Sequence, residues 1–408
     1  MRQRRIKTVQ SQPQEPAIAS PISSAYLHIP FCRRRCFYCD FPIAVVGERR
    51  DRTPSQSIPP YLAALTQEIE ITAARSTPQP LATVFFGGGT PSLLTPEQLD
   101  QLLTALDHAF GLAVGVEIAM EIDPGTFTFG QLHGYRSAGV NRFSLGVQAF
   151  QDELLQTCGR SHSVAEIYDA VAMIRRAQID NFSLDLISGL PHQTREQWQD
   201  SLEAAIAIAP AHLSCYDLVL EPVTPFGKRY SPGETPLPDD DLTADLYRIA
   251  QAHLTAAGYD HYEISNYARP GFACRHNRTY WENRPYYALG MGAASYTDGI
   301  RFSRPRTRQA YYDWLAAGAT IPDEPETDCD RLLETLMLGL RLREGVRCDR
   351  FTPSEQAQIR TTLAPYAAQG WVTLGDDAIA LTDPDGFLFS NTILASLFAQ
   401  FDPDSAHR

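Results

Sequence analysis

The strongest constraint on the fold is a repeated alternation of short apolar runs with amphipathic helical patterns across residues 25–219. The runs predict strands over 25–29, 82–86, 116–122, 141–147, 182–187 and 212–219. Between them, apolar residues recur at helical spacing. Leu62, Leu65 and Ile69 share one face, and Leu99, Leu102, Leu103, Leu106 and Phe110 share another. A third helix is expected to start near Thr194 and to bury Trp198, Leu202 and Ile206. About six βα units in a row predict an α/β fold, a parallel sheet with helices packed outside. An open doubly wound sheet and a partial barrel both fit. In either, ligands gather at the carboxyl ends of the strands, and the polar residues discussed below fall there.

Downstream, Pro- and Gly-rich sequence over 221–238 marks a boundary. A helix over 241–257, a strand over 262–265 and a polar, aromatic-rich stretch to Asp298 follow. The tail from Arg331 holds helical segments and then two apolar runs that flank Gly375, Asp376 and Asp377, a hairpin pattern. This order suggests a small α+β domain of winged-helix type. The expected organisation is a disordered tail over 1–20, the barrel over 21–238, an elaboration over 239–328 and the C-terminal domain over 329–408. The chain's 408 residues, 44% of them hydrophobic, suffice for a large domain plus an appendage. A net charge of −13 argues against nucleic acid as the main partner. Arg2, Arg4, Arg5 and Lys7 have no apolar run behind them, so no secretory signal is read there. No stretch approaches the roughly 18 apolar residues of a membrane span. A cytoplasmic protein without a transmembrane segment is expected.

Of eight cysteines, Cys32, Cys36 and Cys39 cluster directly after the first strand, and the other five are scattered. A secreted disulfide framework would show denser, paired spacing. Ordinary free thiols, a zinc site completed by a distant His, and an iron–sulfur cluster are the readings to weigh. Structural zinc wants four protein ligands, usually as two separated pairs, and no second pair exists here. A four-iron cluster on three cysteines leaves one iron without a protein ligand, where a cofactor can chelate. The arginines between the cysteines are expected to offset thiolate charge.

Cys32-x3-Cys36-x2-Cys39, with Tyr38 before the last cysteine, resembles the radical S-adenosylmethionine (SAM) superfamily. The surrounding His28-Ile29-Pro30-Phe31 resembles the oxygen-independent coproporphyrinogen III oxidases and their relatives, and Asp40-Phe41 resembles the heme-chaperone branch of that group. The resemblance implies a partial (β/α)6 TIM-like barrel, a [4Fe-4S] cluster as the metal site, and SAM at its open iron. In such a site the cluster passes an electron to the sulfonium and a 5′-deoxyadenosyl radical forms.

The remaining cofactor residues are read from both sources. Gly87-Gly88-Gly89-Thr90 closes the second strand, and glycines let backbone approach a ligand with N–H groups free. No Gly-Lys-Ser/Thr follows, so it is no nucleotide P-loop. By spacing alone it is a tight turn; by resemblance, Gly88, Gly89 and Thr90 contact the amino acid part of SAM. Glu121 and Asp123 end the third strand, where a solvated loop rim is an equal reading. Asp185 lies inside an apolar strand, where a carboxylate is costly unless paired. By resemblance, Glu121, Gln148, Arg160 and Asp185 hold the sulfonium, ribose and carboxylate of SAM, and Tyr26 and Tyr38 are the flanking aromatics. All are read as binding residues, and no catalytic acid or base is assigned.

Two departures separate the chain from the oxidases. They carry a further cysteine two positions after the third, where this chain has Phe41, and a longer segment upstream of Tyr26. Both match the chaperone branch. That branch implies a protein that binds heme and passes it to an acceptor, such as a respiratory protein at the membrane, and acts as a carrier rather than an enzyme of porphyrin biosynthesis. Decarboxylation of coproporphyrinogen III is the alternative. His276-Asn277-x-x-Tyr280-Trp281 matches the branch's His-Asn-x-x-Tyr-Trp motif, so His276 is the candidate heme ligand, with Cys274 as the other. A lone His beside aromatics is otherwise a hydrogen-bonded core residue. Related chains carry a His after Gly-x-Gly, whereas this one reads Gly290-Met291-Gly292-Ala293-Ala294, so no role carries over there.

Overall fold

The computed structural model describes residues 21–47, 55–322 and 326–402, so the tail expected over 1–20 lies outside the described residues. All six predicted strands form: β1 (Ser24–Ile29), β2 (Leu81–Gly88), β3 (Leu112–Ile122), β4 (Arg142–Gln148), β5 (Phe182–Ser188) and β6 (His212–Asp217). Each pairs in parallel with the next. A doubly wound sheet reverses its strand order at a switch point. Here the order runs straight from β1 to β6, which is the winding of a partial barrel.

The sheet has nine strands, because residues beyond 238 extend both edges. β7 (Asp260–Glu263) and β8 (Asn266–Ala268) form an antiparallel hairpin beside β6, and β9 (Tyr287–Leu289) runs parallel to β1. The strand expected over 262–265 straddles the turn of that hairpin. β9 is only three residues long, too short for any alternation to show in the sequence.

The helices start where local chemistry dictates. Thr95, Thr128, Ser163 and Thr194 each form a capping box with a Gln or Glu three residues on. Such a cap stabilises a helix by about 1 kcal/mol. The faces read from periodicity pack against the outside of the sheet, including Leu62, Leu65 and Ile69 and the row from Leu99 to Phe110. In the helix Arg195–Ile208 the buried row is Trp198, Leu202, Ala205 and Ile208. Ile206 is only partly covered, because the 3.6-residue period carries it to the edge of that row.

A second core forms in the C-terminal part. Leu332, Leu336, Ile359, Leu363, Ile379, Ile393 and Leu397 pack together between helices and a three-stranded sheet. The hairpin Val372–Leu374 and Ala378–Leu381 turns at 375–377 as expected. Helices Asp328–Gly339, Pro353–Ala368 and Ser390–Phe401 complete the winged-helix-like unit.

Candidate cofactor site

At the carboxyl ends of β1 to β6 the barrel opens into a cavity of about 770 Å³. Its walls include Cys32, Cys36 and Cys39 together with Tyr38, Gly88, Gly89, Thr90, Glu121, Gln148, Arg160 and Asp185. Of the predicted cofactor residues, only Tyr26 and His276 lie elsewhere.

The cysteine loop leaves β1 and returns through a short parallel pairing of Phe31–Cys32 with Ala44–Val45. His28 Nε2 bonds the Pro42 carbonyl at 2.9 Å, and Tyr26 Oη bonds His28 Nδ1 at 3.0 Å. Tyr26 therefore steadies the loop from behind rather than flanking the cavity. Arg35 bonds the carbonyls of Cys39 and Phe41, both at 3.1 Å, and so staples the loop, while its charge favours the Cys39 thiolate as expected. A second cation comes from outside the loop: Arg160, whose Nη1 lies 3.5 Å from Cys36 Sγ. Burial pushes the Cys32 thiol up to about 12 and raises Cys39, the cost that a bound metal offsets by taking the thiolates. Among the described residues no three His, Cys, Asp or Glu side chains converge on one point as around a single ion. Three thiols that each take a different iron of a cluster do not need to converge.

The glycine run works differently from the free N–H groups expected. Gly88 N–H donates to Glu121 Oε2 at 2.9 Å, Gly89 N–H to the Ile29 carbonyl at 2.9 Å, and Thr90 N–H to the Phe31 carbonyl at 2.7 Å. What glycine supplies is close packing. A Cβ on Gly88 (φ +107°) would stand 2.3 Å from the His28 ring, and one on Gly89 would stand 2.8 Å from the Ile29 and Phe31 carbonyl oxygens. Small residues here let β2 close onto the cysteine loop.

Asp123, for which a solvated loop rim and a site residue are equal readings in the sequence, lines the cavity. It is ion-paired to buried Arg160 and accepts from Thr90 Oγ1 at 3.1 Å. Arg160 also donates to the Gly146 carbonyl at 3.0 Å, which ties the ends of β2, β3 and β4 to one guanidinium. Its Nε is buried without a partner. Gln148 sits at φ +69°, rare for a non-glycine residue, at a bulge where the β4–β5 register shifts. A bulge re-aims a side chain, and here Gln148 lines the cavity. Asp185 is paired by hydroxyls rather than by a cation: Ser144 Oγ donates at 3.0 and 2.9 Å to its two oxygens, and Ser183 Oγ donates at 3.2 Å. Burial still raises its pKa. Glu121 is raised to about 8 by burial and then by the nearby Asp185. Two carboxyls that are disfavoured as anions thus share a wall, which suits a cationic ligand.

Residues from the last barrel strand and from the segment beyond 238 complete the rim, none of which was singled out in the sequence. Tyr216 and Asp217 end β6, while Gly292, Ser303 and Arg306 come from the far segment. Arg306 donates to the Asp40 carbonyl at 2.7 Å and so clips that segment to the cysteine loop. Phe41 lines the mouth and is 60% exposed.

The His-Asn-x-x-Tyr-Trp segment forms the helix Arg275–Trp281, away from the cavity. Buried Glu117 accepts the N–H groups of Arg275 (3.3 Å) and His276 (3.0 Å). His276 is 1% exposed and stacks on Phe85, with Nδ1 bonded to Thr83 Oγ1 at 2.8 Å and Nε2 to Tyr280 Oη at 2.7 Å. Both ring nitrogens are occupied, and burial lowers its pKa to about 3. Cys274 is equally enclosed and caps the same helix.

Residues 26–205 match the Radical SAM superfamily, and residues 327–388 match the HemN C-terminal domain. A Synechocystis protein named heme chaperone HemW is 49% identical over 405 residues, covering 94% of this chain and 98% of that protein. The chain belongs to the HemW family of radical SAM proteins. The Escherichia coli heme chaperone HemW is 36% identical, covering 93% of this chain and 99% of its own. Among solved structures, the E. coli coproporphyrinogen III oxidase HemN, a radical SAM enzyme, superposes with a TM-score of 0.78 over 93% of this chain and 90% of its own. At 24% identity that likeness shows the fold. Membership of the radical SAM superfamily implies a [4Fe-4S] cluster and SAM, and the cavity carries a donor set that fits both. Among the described residues no helix is long and apolar enough to cross a membrane.

Proposed function

We propose that the chain is a heme carrier that binds heme and hands it to an acceptor protein. In this reading it holds a [4Fe-4S] cluster on Cys32, Cys36 and Cys39, with SAM in the adjoining cavity. The observation that carries the reading is likeness over almost the whole chain to relatives named heme chaperones. The site chemistry supports the cofactors. Three thiols on one loop line the cavity, beside an arginine at one thiol and two carboxyls that await a cation. When bound, such a cluster supplies one electron to the sulfonium of SAM. Gln148, Thr90, Tyr38, Gly88 and Gly89 shape the cavity around the cofactor, and the Asp123–Arg160 pair fixes its floor. The same reading assigns cofactor binding to 21–238, the His-Asn motif to 239–328 and the winged-helix-like domain to 329–408. It places the protein in the cytoplasm, serving an acceptor at the membrane. Eight free cysteines suit a reducing compartment.

The test is a heme titration of anaerobically reconstituted protein with and without SAM, followed by addition of an apo acceptor. Uptake of about one heme per chain and its transfer are expected, as for a single specific site. Failure to bind heme, together with anaerobic turnover of coproporphyrinogen III to a decarboxylated product, would instead make the chain an oxidase.

A further inference from the structure

Asp185 lines the cofactor cavity, yet the groups that hold it come from inside the barrel. Alternate residues of a strand share a face, and Ser183 and Asp185 on β5 are matched in register by His212 and Ser214 on β6. Ser144 of β4 stands beside Ser183 on the other side. From Asp185 the hydrogen bonds continue without a break across the barrel. Ser183 Oγ donates to Asp185 at 3.2 Å and lies 2.9 Å from Nδ1 of His212, which is 2% exposed. His212 Nε2 lies 2.8 Å from Tyr262 Oη, and that oxygen accepts the Cys274 N–H at 3.3 Å. Cys274 is the N-cap of the helix Arg275–Trp281.

The chain can point only one way. The Tyr262 oxygen accepts from the backbone, and among the described residues its own proton has one acceptor, His212 Nε2. Burial, and then the Arg142 cation, hold the His212 ring well below the ordinary imidazole range, so it is neutral and carries a single N–H. That proton therefore sits on Nδ1 and donates to Ser183, which leaves the serine proton for Asp185. The other tautomer would draw the serine proton to the ring and turn oxygen lone pairs of Ser183 and Asp185 on each other. It would also leave the tyrosine proton without an acceptor, and an unpaired buried donor is costly. A carboxylate has about four acceptor positions. Ser144 and Ser183 hold Asp185 from within, and the lone pairs left over serve the cavity.

We propose that His212 is a positioning residue of the cofactor site: its Nδ1–H tautomer turns the Ser183 hydroxyl onto Asp185 and so presents the carboxylate to the ribose hydroxyls of SAM. Tyr262 sets that tautomer from the start of the His-Asn helix. Both act from outside the cavity lining. The proposal rests on the SAM-binding reading above.

Two substitutions separate the ring nitrogens. An Asn side chain places its amide N–H near the Nδ1 position, whereas Gln places its own near Nε2. SAM affinity is measured by equilibrium dialysis on the anaerobically cluster-reconstituted full chain, with circular dichroism to check the fold. His212→Gln should weaken SAM binding about tenfold, as expected when one hydrogen bond supporting a carboxylate is lost. His212→Asn should retain most of the affinity. Equal loss in two folded variants, or loss in neither, would overturn the proposal while wild-type binding keeps the cofactor reading intact. A second readout needs no SAM. In protein labelled at the histidine ring nitrogens, the His212 resonances, identified by their absence from His212→Asn, should report a neutral ring protonated at Nδ1. The opposite tautomer, or a charged ring, would overturn the proposal. Wild type that binds no SAM would remove the cofactor reading, and this role with it.

Discussion

At the scale of single residues, the site is governed by what burial does to charge. Glu121 is the clearest case. Its pKa is raised from 4.5 to about 8, mainly by burial. At low pH folded and unfolded chains both hold the proton. As pH rises, the unfolded chain loses it first, so the folded state loses stability progressively until the folded group ionises near 8. Apo protein should therefore melt at falling temperature across this window, and Glu121→Gln should flatten the decline. Parallel melting curves for the two proteins from about pH 5 to about pH 9 would contradict the assignment. A cation bound in the cavity draws the same proton off, so SAM affinity should tighten as pH rises towards that value. How much of the site was legible depended on where its residues stand in the chain. The thiols, Asp185 and Gln148 stand in or beside strands, where their chemistry conflicts with an apolar run and so draws attention. Asp123 stands in an ordinary Pro-Gly loop, and only the distant Arg160 gives it meaning. Arg306 is 266 residues from Asp40, its partner on the cysteine loop, a contact no local pattern reveals.

At the scale of elements, the helix Arg275–Trp281 shows how the fold encloses a motif. Its seven residues are too few to stand alone, and Glu117 on β3 holds its first turn. Read along the chain, His276 beside Tyr280 and Trp281 has the composition of a heme contact. In the fold, Glu117 and Thr83 draw the His inward, while the Trp281 ring lies under the Arg341 guanidinium of the C-terminal part. Glu117→Ala should destabilise the protein by about 2 kcal/mol, the worth of hydrogen bonds to a charged acceptor, as measured by urea unfolding. Glu117→Gln keeps an acceptor oxygen and should cost less. A wild-type midpoint in Glu117→Ala would show that the helix is held by packing alone. The six long strands were legible because each is a full apolar run bounded by turns. β8 and β9, at three residues each, were not, since pairing rather than pattern defines them.

At the scale of the whole molecule, straight strand order places every loop after β1 to β6 around one opening. Residues as far apart as Cys32 and Asp217 then share a cavity. The choice between a doubly wound sheet and a partial barrel could not be made from the runs themselves, because both produce the same alternation. Strand order decides it, and order is a property of long-range pairing. The C-terminal core is distinct from that of the barrel.

The central claim is that three cysteines hold a cluster whose remaining iron is open to SAM. Electron paramagnetic resonance of the anaerobically reduced protein, recorded before and after adding SAM, tests it most directly. A reduced four-iron signal that changes shape on adding SAM, and that is lost in Cys36→Ala, is the predicted result. A signal indifferent to SAM, or none from protein that binds zinc instead, would contradict it.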